Sequence, residues 1–334
     1  MSTSKLPPLT SSELANLWMT YQEKTMILRF LEYFLEDKQD YKELFELYYS
    51  RSLKSVAQIK EIFENEGAVI PIGFTKDDVN VGVPKLYDHM FEVMYIRLMS
   101  QIETGLFALH STMSYREDIR NFFVEATAEA QDIYNQSTQV LLETGVIAKP
   151  PYVSMPKEVH FVHAQNYIGG LSWFSEKRSL NTIEVSLIQH AVDTNLVGMQ
   201  LMIGFAQVAN NKEAQQHFVR GMKLSKKIET ELGDILRHSY IEPPATHAGK
   251  ATNSTVPPFS DKLMMYNTSL LSTFGLGSNA LGGAFSLRSD LPLKMLQLAK
   301  DIYSLAKEGG KVMIQNGWLE EPPQIEDRNQ LTKK

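Results

Sequence analysis

The chain has 334 residues, 43% hydrophobic and 22% charged, which is core material for one large or two ordinary domains and too much for a disordered chain. Cysteine is absent, which excludes disulfide frameworks, thiolate metal sites, iron–sulfur clusters and cysteine nucleophiles. A net charge of -6 lacks the basic footprint of a nucleic-acid binder, and Met1 to Thr10 lack the apolar run of a secretion signal, so the expectation is a cytoplasmic protein without nucleic-acid partners.

From the N-terminus, Leu14, Leu17, Trp18, Tyr21, Thr25, Leu28, Leu31 and Leu35 step by three and four, and Ser12 with Glu13 gives a start signal. The same periodicity predicts helices at about 12–37, 40–66, 85–111 and 115–144, then at 181–210, 212–239, 258–287 and 289–316. Nothing reads as a strand. Gly145 and Gly317 follow the fourth and eighth helices, and the proline pairs beyond them cannot continue a helix.

These two groups of four are copies. Glu143-Thr-Gly145-Val-Ile-Ala-Lys149-Pro150-Pro151 returns as Gln315-Asn-Gly317-Trp-Leu-Glu-Glu321-Pro322-Pro323, an offset of 172 in the numbering. Arg116-Glu-Asp118 matches Arg288-Ser-Asp290 and Pro71 matches Pro243 at the same offset, while Asp88 matches Asp261 at 173. The duplication divides the chain into a first unit at 1–146, a connecting segment at 147–179 and a second unit at 180–334.

Loop lengths give the topology. Short turns, around Lys38-Gln39 and Asn210-Asn211, make the first two helices of each copy antiparallel, as do those between the third and fourth. Gly67 to Pro84 and Tyr240 to Pro257 are 18 residues each, and such a segment spans roughly 60 Å against about 40 Å for a long helix. The connection can run the full bundle length, leaving helices two and three parallel. The predicted fold is all-α: two tandem four-helix bundles of ferritin-like, one-crossover connectivity.

The Leu17-Trp18-Met19-Thr20-Tyr21-Gln22 run, the Pro71-Ile72-Gly73-Phe74 crossover and the paired G-x-x-x-x-P-P ends carry a resemblance. Over residues 10 to 330 the chain resembles a domain-of-unknown-function family from spore-forming bacilli, tandem ferritin-like bundles, some labelled as candidate spore coat proteins. The resemblance implies this fold and a spore-associated setting, and it brings no established activity.

A ferritin-like bundle invites a di-iron site, which requires Glu-x-x-His on two helices and a Glu on each of the others. None of the eight histidines has Glu three residues before it, so that site is not expected and no cofactor is predicted. Two constellations invite a nonstandard metal site. His190 and Asp193 share a face of the fifth helix, where Asp193 is the single charge between Val185 and Asn211. The alternative is that this pair simply hydrogen-bonds within a helix interface. Glu158-Val-His160-Phe-Val-His163 lies in the connecting segment, where solvated surface histidines are the commoner outcome. Gly275-Leu-Gly277-Ser-Asn-Ala280 lacks the third glycine and the preceding strand of a dinucleotide fingerprint, and no phosphate-loop, metalloprotease or serine-hydrolase signature occurs.

The copies differ most in their third helices. Lys85, Asp88, Glu92, Arg97 and Glu103 charge the first, whereas the whole run from Leu263 to Leu287 carries no charge. Eight Asn, Ser or Thr residues and four glycines keep that run from reading as a membrane span. The helices at 181–210 and 258–287 therefore need cover: the first bundle, a second copy in a homodimer, or a ligand. Trp173-Phe174 in the connecting segment is expected to pin that segment to a bundle. The function read from these features is that of a non-catalytic structural or interaction protein. Two alternatives stand beside it: a metal-binding or redox protein using His190 and Asp193, and a carrier of an apolar small molecule in a closed cavity lined by Phe205, Leu271 and Phe274.

Overall fold

A computed structural model describes residues 6–36, 41–170, 177–245 and 249–333, in which every long element is a helix. The first copy holds α1 (Ser11–Phe34), α2 (Lys42–Glu66), α3 (His89–Thr112) and α4 (Glu117–Glu143). The second holds α5 (Thr182–Val208), α6 (Lys212–Arg237), α7 (Asp261–Phe285) and α8 (Asp290–Gln315), and a short α9 (Arg328–Leu331) follows. The predicted turn at Lys38-Gln39 and the predicted anchor Trp173-Phe174 lie outside the described residues.

Each bundle packs as four corners. α1 lies against α2 and α3, and α4 against the same two; α5 and α8 repeat this with α6 and α7. The C-terminal halves of α2 and α3 share a core with the N-terminal halves of α1 and α4, so α2 and α3 run parallel, as the crossover requires.

Helix ends are fixed locally. α1 is capped by Thr10, not Ser12: the Glu13 amide donates to its hydroxyl at 3.3 Å, and the Glu13 carboxylate accepts from the Thr10 amide at 2.7 Å. α3 and α7 begin three to four residues later than the periodicity predicts, at the caps Asp88 and Ser260. These caps stand at the repeat offset, so the counterpart of Asp88 is Ser260 and not Asp261. Gly145 and Gly317 end α4 and α8 with φ of 69° and 67°, and the following amide of each reaches back to Leu141 or Met313.

The late starts have a physical reason: the residues just before each cap pair across the molecule. Val79 bridges Phe259, and Tyr87 bridges Ala251, both antiparallel. Val79 and Ala251 are counterparts in the repeat, as are Tyr87 and Phe259, so the repeat exchanges one bridge for the other. The same exchange relates the Asn80 amide on the Pro258 carbonyl, 2.7 Å, to the Thr252 amide on the Leu86 carbonyl, 2.8 Å. Tyr95 and Asn267, also counterparts, bond each other at 2.8 Å. This is an isologous contact, the kind two identical subunits make, held within one chain.

Apolar packing follows the same plan. One core spans both bundles around Phe30, Tyr95, Phe205 and Phe259, with Phe30 4.3 Å from Phe259 and 4.6 Å from Tyr95 between ring centres. Beyond it each bundle has its own core, around Ile59 and Phe123 in one and Ile188 and Leu232 in the other. The bundles are fused at one end and independent at the other, with α1 and α3 facing α5 and α7. The first bundle thus covers the C-terminal half of α5 and the N-terminal half of α7, part of what their missing charges demanded.

Candidate functional site

Where the two independent arms separate, α1, α3, α5 and α7 enclose an open cleft of about 660 Å³. Its walls follow from sequence: the charge-free stretch of α7 supplies Phe274, Gly277 and Leu281, and α3 supplies Ile102, Gly105 and Leu109. Leu109 and Leu281 are 53% and 56% exposed, well beyond what one element buried against another would leave. Among the described residues no Lys or Arg lines the cleft, and its ionisable groups are Glu23, His110, His190 and Tyr266.

Glu23 is almost fully buried, and its Oε1 has no hydrogen-bond partner. Burial, reinforced by the charge of Glu103 and opposed by Lys24, pushes this carboxyl well above the usual range and so favours its protonated form. Burial pulls His110 down to about 4, leaving a neutral imidazole whose Nδ1 is also without a partner. The Tyr266 phenol is driven upward by burial first and then by the charges of Glu23 and Glu320. Behind Glu23, inside the first bundle, Lys24 Nζ donates to Glu103 Oε1 at 2.7 Å, both side chains being shielded from solvent. The ammonium also lies 5.3 Å from the Tyr48 ring centre and 5.1 Å from that of Phe107.

His190 and Asp193 are not joined to each other. Asp193 Oδ2 accepts from Arg97 Nη1 at 2.9 Å, across the bundle interface, and Arg97 also reaches the Tyr134 hydroxyl at 3.2 Å. His190 lies edge-on to Phe274 in the cleft wall, and burial lowers its pKa against the pull of Asp193. His160 and His163 are exposed, the former 3.6 Å from Glu158. Among the described residues no three His, Asp or Glu side chains converge as metal ligands, and no helix is long and apolar enough to cross a membrane.

The cavity residues separate. Phe205 is in the shared core; Leu271 and Phe274 line a space of about 70 Å³ between the helices of the second bundle, to which Leu98 of α3 also contributes, and Phe274 also walls the cleft. Glu23 and Lys24 are the residues the sequence reading passed over, and it took Glu103 only as one of the charges of the third helix. A signal existed: Lys24 occupies a core-face position, between Tyr21 and Leu28, where an unpaired charge would be costly. Nor is α3 charged on an ordinary solvated face, since Glu92 and Glu103 are buried and bond Lys85 and Lys24.

The model of a family described as a protein of unknown function, DUF3231, matches residues 2–159 and again 168–331. Among solved structures, the crystal structure of a "putative spore coat protein" from Bacillus halodurans C-125 is similar at 19% identity and a TM-score of 0.42. The match covers 45% of this chain and 98% of that one. No curated protein matches the chain.

Proposed function

The chain belongs to the DUF3231 family of proteins of unknown function, and from that premise we propose that it is a non-catalytic interaction protein that works by holding an occupant between its two arms. The observation that carries this reading is the cleft, a mainly apolar space of about 660 Å³ whose walls expose Leu109 and Leu281 to solvent. Apolar surface displayed on facing helices is unfavourable unless something covers it during function. Lys24 and Glu103 are paired with each other and shielded from solvent, and Asp193 is engaged by Arg97, so neither carboxylate stands free for a substrate. The setting we propose is the forming spore coat, the one implied by the family resemblance of the sequence.

The test is to recover tagged chain and its Gly277→Leu variant from sporulating bacilli and compare, by mass spectrometry, the small molecules and proteins that accompany each. Gly277 lines the cleft, and a Cβ there meets no heavy atom within 4 Å, so a larger side chain starts into the cleft and not into packed protein. The expected result is material present with the native chain and absent with the variant. Equal recovery with both, or none with either, rejects the reading.

A further inference from the structure

We propose that the apolar C-terminal ends of α3 and α7 are the surface on which a second copy of this chain docks, the two copies meeting about a twofold axis and each closing the other's cleft. This rests on the reading of the cleft as the working surface and names its occupant.

What the two copies of the repeat retain is the first argument. Packing constrains the buried positions of a duplicated domain and leaves the exposed ones free to drift. Along the end of α3 the reverse holds. The exposed Gly105, Ala108 and Leu109 recur unchanged as Gly277, Ala280 and Leu281, while the buried Phe107 and His110 give way to Asn279 and Gly282. Further on, Met113 and Tyr115 match Phe285 and Leu287, large and exposed in both copies. Leu109 and Met113 stand one turn apart, as do Leu281 and Phe285, so each arm carries an apolar stripe from the cleft wall to its tip. A surface retained while the core beneath it changes is one that makes contact.

Symmetry and charge identify the partner. The stripes lie on the same two helices that make the isologous contact between Tyr95 and Asn267, further along each, and the same exchange of copies relates them. A partner covering both must offer one surface twice in a twofold arrangement, and a second copy of the chain does so. No Asp, Glu, Lys or Arg occurs from Thr104 to Tyr115 or from Leu263 to Leu287. A surface that meets itself sets each charge near the axis against an identical one, so self-contact demands this absence, and the core of an interface is depleted of charge. A partner recognised through charge finds no handle on these ends. With a net charge of -6, two copies repel elsewhere, and here they approach at least electrostatic cost.

The experiment is sedimentation of the full chain at pH 7 over about a hundredfold range of concentration. A particle of twice the 37.9 kDa chain mass is expected to grow in as concentration rises. Leu109→Lys combined with Leu281→Lys should weaken that association by about a hundredfold or more, because like charges then face each other. Its circular dichroism should match the native chain, since both leucines are largely exposed. Leu109→Glu combined with Leu281→Glu should fail alone in the same way, yet pair with the lysine variant on mixing, with an affinity that falls as salt rises. Leu296→Lys, at an exposed leucine of α8, should dimerise like the native chain. A chain that stays monomeric throughout, a dimer that both double variants leave intact, or lysine and glutamate variants that do not pair on mixing overturns the proposal. A monomeric chain whose companion material from sporulating bacilli is still lost on Gly277→Leu defeats this inference alone; a monomeric chain with no such material defeats the interaction reading as well.

Discussion

In the first bundle the level of Lys24, Tyr48 and Glu103 is filled by a buried ion pair and an aromatic ring. In the second bundle Gly275, the counterpart of Glu103, lines with Asn195 and Gly221 a space of about 70 Å³. The ends of the bundles show no such divergence. Glu13 accepts from the amides of Tyr115 and Arg116 at 2.8 and 2.6 Å, and Glu184 accepts from those of Leu287 and Arg288 at 3.3 and 3.0 Å. Arg116 and Arg288 each hold the aspartate two residues on, and each donates to the backbone ahead of its bundle's first helix, at Pro7 or Arg178. The frame is therefore set by buried carboxylates that close the loops and by the isologous bridges. The bundle interior is free to differ because an ion pair there offsets little more than its own desolvation.

Separating Lys24 from Glu103 gives the sharpest test of that claim. Lys24→Met leaves the Glu103 carboxylate buried beside Glu23 with no cation, and should cost about 3–5 kcal/mol in chemical denaturation. Lys24→Met with Glu103→Leu should recover to within about 1 kcal/mol of the native chain, since an apolar pair of similar volume replaces the ions. A double variant as unstable as the single would show that the first bundle depends on its ion pair in a way the second does not.

The shared end device should cost both bundles when removed, unequally. Burial works to raise the Glu184 pKa, but Arg178 and the amides of Asn181 and Arg288 outweigh it and hold the carboxyl at about 2. A fall from 4.5 to about 2 corresponds to about 3 kcal/mol, present above pH 4.5 and lost as pH falls toward 2. Glu184→Gln should remove that stability at pH 7 and flatten the acid limb of the stability profile. Glu13 is lowered in the same direction by backbone amides and Thr10, against burial, without an arginine of its own, so Glu13→Gln should lose less. Equal losses would mean that Arg178 adds nothing to the second copy.

A smaller effect of opposite sign is expected at Glu23, whose counterpart in the second copy, counted along the helix from the matching pair Glu13 and Glu184, is the neutral Thr194. Its folded pKa is raised, so the folded state keeps a proton that the unfolded chain releases, and stability falls as pH climbs above 4.5. Glu23→Gln should match the native chain near pH 4 and exceed it at pH 8. Identical profiles would show that Lys24 fully offsets burial and the Glu103 charge at Glu23.

The helices, the repeat and the one-crossover connection are legible in sequence because each depends on local periodicity, on Gly-Pro-Pro punctuation or on loop length. What pairs across the molecule is not. Arg97 meets Asp193 and Tyr95 meets Asn267 from opposite copies of the repeat, and neither residue of either pair marks its partner. The starts of α3 and α7 escape the periodicity for the same reason, since the residues before Asp88 and Ser260 are extended by bridges to the other copy. Of the cleft, the uncharged face of α7 is visible in sequence, but Glu23 is not, because a carboxyl on an amphipathic helix reads as solvated until the opposing helix is known.

The least disruptive comparison is between two glycines of α7, two residues apart. Gly275 borders the interior cavity, and a Cβ there would sit 3.7 Å from Ile302 Cδ1, an ordinary contact; Gly277 faces the open cleft. Alanine at either site should gain about 0.5–1 kcal/mol from helix propensity and reduced freedom of the unfolded chain. Gly275→Ala should gain a few tenths of a kcal/mol more, because its methyl also fills part of a space that the first bundle closes with Glu103. Denaturation midpoints of the two variants isolate this packing contribution. If Gly275→Ala falls below Gly277→Ala, the cavity tolerates no methyl, and the second bundle's open interior is a packing requirement in its own right.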